Sequence, residues 1–319
     1  MVIVGSCKGT LTALGTETGE ITWQYDITSD GEQSNFHGDA VVTEGMLLIG
    51  TDGMGIGHLY AFDVYGGEVM WKYPDARGVT TDIQRHGDVV LAATLGEEML
   101  CLDLFTGAPM WTAPGDGYAG ERDFNLSPAI TETRVFYGAL GGRVDAYDID
   151  TGEPAWSVPL GSRVTTSVLA DEEYVYTGTD NNVIWRIAQN TGEADTLAAL
   201  TKLPSQTMVL ADGHIFVLLD WTLSRSEIAS IDAETGKVAW RAAPEEGHEW
   251  TCARPYLVGE SIVVGCDKGH VRAYNTGDGT PTWRMAVDGT VRGMGFSDTA
   301  AFIGTLDGTL YRVDFEAAD

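Results

Sequence analysis

The sequence predicts an all-β propeller built from four-stranded blades. Three observations carry that prediction. A glycine-centred turn recurs seven times, at Gly19, Gly67, Gly107, Gly152, Gly192, Gly236 and Gly279, with spacings of 48, 40, 45, 40, 44 and 43 residues. Four places after six of these glycines stands a tryptophan: Trp23, Trp71, Trp111, Trp156, Trp240 and Trp283, six of the nine in the chain. Between the turns lie short β-branched or aromatic runs such as "RVFYGAL" and "SIVVGCD", closed by Gly or Asp. A period of 40 to 48 residues suits propeller blades or helical solenoids. The runs decide for strands, because no stretch of about 12 residues at helical spacing competes.

In chain order, "VIVGS" reads as the second strand of a first unit. Complete units then supply strands A to D from the centre outward. Unit 4 shows them as "NLSPAIT", "RVFYGAL", "RVDAYDI" and "EPAWSVP". The stretch "AYDIDTGEPAW" is the C–D turn. Gly152 is expected at positive φ there, closing a hairpin of about three to five residues. Asp148 and Thr151 can bond backbone amides inside the turn. Trp156 then opens the outer strand, where a large flat ring can cover the seam between neighbouring sheets. One corner and one wedge per blade account for the repetition. Repeat 5, "RIAQNTGEADT", places Thr196 in the wedge position and shows no tryptophan. After repeat 7, "VRGMGFS", "AAFIGTL" and "TLYRVDF" supply three strands of an eighth unit. Three strands, six sets of four and three more give about 30, where eight blades need 32 and seven need 28. The expectation is one domain over residues 1–319 with eight blades, seven being the alternative. The first blade then lacks its inner strand, which points to residues upstream.

The repeat resembles the tryptophan-docking repeat of the PQQ-type β-propellers. That family includes quinoprotein alcohol dehydrogenases and non-catalytic outer-membrane assembly lipoproteins. The resemblance spans nearly the whole chain and is strong at "CLDLFTGAPMW", "AYDIDTGEPAW" and "SIDAETGKVAW". It departs at repeat 1 (Gly15 for Asp), repeat 2 (Gly66 for Thr), repeat 7 (Asn275 and Asp278) and repeat 5. The resemblance to the dehydrogenases implies a vicinal disulfide beside the cofactor, a calcium site of Glu, Asn and Asp, and a catalytic Asp. No Cys-Cys pair exists in this chain, so the disulfide is not carried over.

Charge narrows the partners. Asp and Glu number 47 against 19 Lys and Arg, a net of −28, and only five of the basic residues are Lys. The carboxylates are spread along the chain without an acidic tail. Such a field repels nucleic acid and anionic membranes. It suits a halophilic surface, with a cation-binding surface as the alternative. No apolar run approaches the roughly 18 residues of a membrane helix. "MVIVGSCKGT" shows no signal peptide, so a cytoplasmic setting is expected as written, or a cell-surface one if a leader lies upstream. A monomer is expected. Four Cys do not make a disulfide framework. Cys101 occupies the repeat position of Ala13, Ala61, Ala146 and Ala273, and Cys266 that of Ser6, Thr51, Thr179 and Thr305, so both read as small blade residues. Cys252 and Cys266 flank an A–B hairpin, where a cross-strand disulfide is conceivable.

The longest connections are 26–39, 114–124 and 243–250 between D and A strands, and 51–58 and 219–227 between B and C strands. In a propeller these emerge at one end, which places any site there, at the mouth of the central channel. Arg77, Arg122, Arg163, Arg254 and Arg292 lie at or just before inner strands. They could converge on a carboxylate or phosphate ligand, or each could pair with carboxylates between blades. Phe36, His37, Tyr118, Trp221, His248 and Trp250 accompany them as a candidate partner face, rim packing being the alternative. The stretch 26–37 begins like a calcium loop but ends in His37 where a bidentate Glu is needed. No metal site, catalytic triad or phosphate loop stands out. The expected function is therefore non-enzymatic: a scaffold that presents its long-loop end to a protein or peptide, with no cofactor. The alternative is a small quinoprotein-like enzyme or sensor binding PQQ with Ca²⁺, or another anion.

Overall fold

A computed structural model describes residues 1–6, 8–30, 34–53, 57–75, 78–96, 98–114, 126–221, 225–244, 249–250 and 254–315; for 29, 30, 34, 37–39, 53 and 75 only the backbone is described. The chain is an eight-bladed β-propeller of antiparallel sheets. It divides into two compact units, Met1–Gly161 and Ser162–Asp319.

The first unit holds four sheets. Blade 1 has the strands Val2–Gly5, Thr10–Leu14 and Ile21–Asp26; blade 2 has Ser34–Thr43, Met46–Gly53, Gly57–Asp63 and Val69–Asp75. Blade 3 has Gln84–His86, Val89–Ala93, Met99–Asp103 and Pro109–Ala113; blade 4 has Ala129–Ile130, Arg134–Ala139, Arg143–Asp148 and Pro154–Pro159. In the second unit, blade 5 has Leu169–Ala170, Tyr174–Thr179, Val183–Ala188 and Ala194–Ala199; blade 6 has Pro204–Ala211, His214–Leu219, Glu227–Asp232 and Val238–Ala242. Blade 7 has Tyr256–Val258, Ser261–Gly265, His270–Asn275 and Pro281–Ala286, and blade 8 has Val291–Phe296, Ala300–Thr305 and Leu310–Asp314. Among the described residues the only helical pieces are two short 3₁₀ turns, Ile27–Asp30 and Asp267–Gly269.

Central strands are apolar on both faces because each sheet is sandwiched between neighbours. In blade 4, Val135, Phe136, Val144 and Ala146 are fully buried, whereas the outer strand Pro154–Pro159 alternates exposed and half-buried residues. The hydrophobic clusters accordingly bridge sheets: one joins Leu48 and Leu59 of blade 2 to Val90 and Leu100 of blade 3, another Val217 of blade 6 to Ile184 of blade 5.

The C–D corner is built as its residues dictate. Gly152 sits at φ 71°, and its N–H donates to Asp148 O at 2.9 Å. Asp148 Oδ1 accepts from the amides of Asp150 and Thr151 and from the Thr151 hydroxyl. These bonds to the charged form hold the Asp148 carboxyl below its ordinary pKa, the Thr151 hydroxyl being the largest cause.

The tryptophan seats on the next blade's corner. Trp23 Nε1 donates to Val64 O at 3.0 Å, Trp71 Nε1 to Leu104 O at 2.9 Å and Trp111 Nε1 to Ile149 O at 2.9 Å. Trp240 Nε1 does the same to Thr276 O at 2.9 Å. The turn glycines lie under those rings: a Cβ on Gly67, Gly107, Gly152 or Gly279 would stand 2.5–2.6 Å from an indole carbon. Opposite each ring on strand C is a small residue. Ala13 pairs with Trp23, Ala61 with Trp71, Cys101 with Trp111, Ala146 with Trp156, Ser230 with Trp240 and Ala273 with Trp283, and a register shift follows each. Cys101 is buried there because only a small side chain fits beside the indole.

Blade 5 has Thr196 in the wedge position, and its tryptophan stands on strand C instead. Trp185 stands on strand C opposite Thr196, and the register shift comes before this pair, so Arg186 holds the place of Ala146 and pairs with Asp195. Its Nε1 donates to Thr179 Oγ1 at 2.9 Å within the same blade. The corner of blade 6 is then met by backbone: a Cβ on Gly236 would lie 1.8 Å from Leu197 O.

Candidate functional site

Antiparallel pairing puts the D–A and B–C connections of each sheet at one end and the A–B and C–D turns at the other. Several expected site residues of the long-loop end fall outside the described residues: Arg77, Arg122, Tyr118, His248 and Cys252. His37 lies on the first strand of blade 2, with only its backbone described.

Phe36 and Trp250 are core. Phe36 is 3% exposed and packs edge-on to Tyr60 and Phe62; Trp250 is fully buried against the cluster of Phe216, Ile262 and Tyr274. Neither ring faces a partner. Both rings are buried in hydrophobic clusters of the blades. Trp250 also bridges Cys266 across the blade 7 hairpin. Cys266 is buried, and its Sγ donates to Asp267 O at 3.3 Å. Trp221 is half-buried at the root of the loop after His214–Leu219.

The three described arginines stand apart in character. Arg163 Nε lies 3.6 Å from Asp180 Oδ2, and its backbone N–H donates to Asp180 Oδ1. Arg254 places its guanidinium 5.7 Å from the Tyr256 ring centre, a cation–π arrangement, and burial lowers its pKa. Arg292 is exposed on the first strand of blade 8. The loop 219–227 is pinned at its base: Arg225 Nε to Asp220 Oδ2 at 3.0 Å, and Lys202 Nζ to Glu227 Oε1 at 2.8 Å.

The inner strands hold a polar position of which sequence reasoning found only Arg254. Asp82, Ser127, Ser167 and Arg254 each stand two residues before the first paired residue of an inner strand, namely Gln84, Ala129, Leu169 and Tyr256. In the first unit, Asp82 N–H donates to Ser127 Oγ at 3.0 Å. Burial pushes the Asp82 carboxyl up to about 6, against the pull of its hydrogen bond with Ser127. In the second unit, Ser167 Oγ accepts from Met208 N–H at 3.0 Å, and Thr166 pairs in parallel with Gln206, which sits at φ 68°. Neighbouring blades are thus stitched by backbone and hydroxyl bonds at their inner edges. The available signal was the near-copy "VTTD" (79–82) and "VTTS" (164–167).

Among the described residues, no group of three or more His, Cys, Asp or Glu is placed to hold a metal ion, and no helix is long and apolar enough to cross a membrane.

Relatives give these features a context. The chain is 24% identical over 332 residues to the outer membrane protein assembly factor BamB of Burkholderia pseudomallei, covering 91% of this chain and 74% of that protein. A quinohemoprotein alcohol dehydrogenase ADH IIB of Pseudomonas putida is 25% identical over 221 residues, which is 60% of this chain but 31% of the enzyme. The crystal structure of BamB from Moraxella catarrhalis superposes with a TM-score of 0.75 at 20% identity, covering 98% of this chain and 93% of that one. The model of the family described as outer membrane protein assembly factor BamB matches residues 1–194, 102–226 and 224–319, and the chain belongs to that family.

Proposed function

We propose that this propeller is a non-enzymatic scaffold that holds a protein or peptide partner at its long-loop end. One observation carries the reading: the family match runs the length of the chain, and that family is described as an assembly factor. The geometry supports it. The base of the loop 219–227 is held by ion pairs and carries the half-buried Trp221 and, separately, Arg225, whose side chain is 72% exposed. A loop held on a rigid sheet presents contacts at small entropic cost. The carboxylate excess is read as a solubility device for concentrated salt, and the likeness to an outer membrane factor favours an extracytoplasmic setting.

The test is capture from native high-salt lysate, with bound proteins identified by mass spectrometry. Trp221→Ala with Arg225→Glu is expected to abolish a specific capture that Glu172→Arg with Glu173→Arg, on the A–B turn of blade 5, leaves intact. The reverse pattern rejects the long-loop end.

The second reading, an enzyme or sensor binding PQQ with Ca²⁺ or another anion, is favoured by the dehydrogenase likeness and by the part-buried guanidinium of Arg254. Titration with PQQ and Ca²⁺ separates the two. A saturable absorbance change that Arg254→Gln removes supports the second, and a flat titration supports the scaffold.

A further inference from the structure

The repeat supplies its own control for finding unusual surface. Two residues before the turn glycine, repeats 1, 4, 5, 6 and 7 carry Glu17, Asp150, Asn190, Glu234 and Gly277. Repeats 2 and 3 carry Tyr65 and Phe105, whose exposures are 74% and 50%. Immediately before the wedge position, the same five repeats carry Thr22, Ala155, Asp195, Ala239 and Thr282. Repeats 2 and 3 carry Met70 and Met110, exposed by 51% and 60%. Two register positions have therefore turned apolar together on two adjacent blades of the first unit.

A bond already described brings Met70 and Phe105 close. Trp71 Nε1 donates to Leu104 O, so the strand bearing Met70 meets the turn bearing Phe105 one residue away on each side. Val64 N–H donates to Gly45 O at 2.9 Å, which holds the Tyr65 turn against the A–B turn of its own blade. Folding does not require this exposure, since five sister repeats make the same corner with polar residues or glycine.

The surround fixes the occupant. The stretches 15–20, 42–45, 63–70, 86–88 and 103–110 contain Asp and Glu but no Lys or Arg. Glu17, Glu20, Glu68 and Asp88 are exposed among them, while Glu44 is already paired with Arg85 Nη2 at 2.9 Å. A second copy of this chain would bring the same acidic rim to itself, and an anionic lipid surface would bring like charge to a protein of net −28. We infer that the C–D turns of blades 2 and 3 form a docking surface for a basic, apolar segment of a partner polypeptide. Its apolar side chains would cover Tyr65, Phe105, Met70 and Met110, and its Lys or Arg would face the rim. Aromatic anchors suit such a centre, and methionines adapt to varied side chains. This rests on the scaffold reading and adds a second surface at the opposite end of the blades.

The experiment uses the full chain and a fluorescent synthetic amphipathic Leu/Lys peptide, read by anisotropy, with a Leu/Glu peptide as control. Tyr65→Ser with Phe105→Ser is expected to weaken binding roughly tenfold or more, as loss of two aromatic anchors implies. Asn190→Ser with Glu234→Ser, at the same repeat position, is expected to leave it within about twofold, since polar rim changes carry little binding energy. The difference persists at about 1 M salt, where screening acts within about 3 Å. Met70→Gln with Met110→Gln gives the same loss and serves if the first variant misfolds by circular dichroism. Four results overturn the inference: equal binding by both double variants, equal binding of the Leu/Glu peptide, Tyr65- and Phe105-dependent binding of zwitterionic vesicles, or dimerisation that those residues control. Failure of the unmodified chain to bind the Leu/Lys peptide, with its lysate capture intact, also refutes this surface and leaves the scaffold standing.

Discussion

Gly107→Ala tests whether the indole seat is an energetic joint. Gly107 has φ 67°, and a Cβ there would lie 2.6 Å from Trp71 Cε3 and 2.7 Å from Cδ2. Gly213 is the control. Its φ is 73°, and a Cβ there would meet nothing within 4 Å. Left-handed backbone costs a side-chain-bearing residue about 1–2 kcal/mol, so Gly213→Ala is expected to destabilise by about that much. Gly107→Ala carries the same cost plus about 1–3 kcal/mol for pushing a ring into packed surroundings, a total of roughly 2–5 kcal/mol. The excess belongs to the ring, so it is expected to vanish when Gly107→Ala is made in a Trp71→Ala background. The assay is urea unfolding of all five proteins at one fixed salt concentration, read as a double-mutant cycle. Equal losses for the two glycines, or an excess that survives removal of the indole, would refute the reasoning.

Two further expectations follow from titrating and nucleophilic groups. Asp82 has a folded pKa of about 6, above its unfolded value, so its burial opposes folding where the carboxyl is charged. That penalty is absent below the unfolded pKa, near 4, and grows as pH rises through about 6. Asp82→Asn is expected to stabilise by ~1–2 kcal/mol at pH 8, allowing for its partial exposure, with no gain at pH 4. Unfolding midpoints at the two pH values check it, and a gain that is the same at both contradicts the assignment. Burial, with the charge of Asp150 adding to it, pushes the Cys101 thiol up to about 12. Iodoacetamide at pH 8 is expected to leave Cys101 unmodified in the native protein and to label it in urea, with peptide mass spectrometry as the readout.

Much of this architecture was legible before any coordinates. Tryptophan spacing placed the C–D corners, and the runs between them gave 30 strands among the described residues in eight sheets. Those signals are local: a corner needs a glycine at positive φ, and a wedge needs a flat ring beside a small residue. The inner edge was less legible. "NLSPAIT" reads as a strand, yet only Ala129–Ile130 pairs within its own blade. The preceding Ser127 bonds the neighbouring blade instead. Thr, Ser and Asp there answer to a partner more than 40 residues away, which no periodicity records. Phe36 and Trp250 were misread for a related reason. Proximity to a long loop says nothing about which way a ring turns, and hydrophobic burial turned both inward. Tyr65 and Phe105 were legible in principle, because the repeat alignment that found the tryptophans also exposes its exceptions.

The shifted register of blade 5, with Thr196 in the wedge position opposite Trp185, bears on identity within the series. Copies of one module, stacked with one kind of joint, would be interchangeable, and no visitor could tell the third from the seventh. This chain numbers its copies. One joint is made by a carbonyl against a glycine in place of a ring, and one neighbouring pair of modules wears oil where its sisters wear water-seeking groups. Such marks give a monotonous wall a beginning and an orientation.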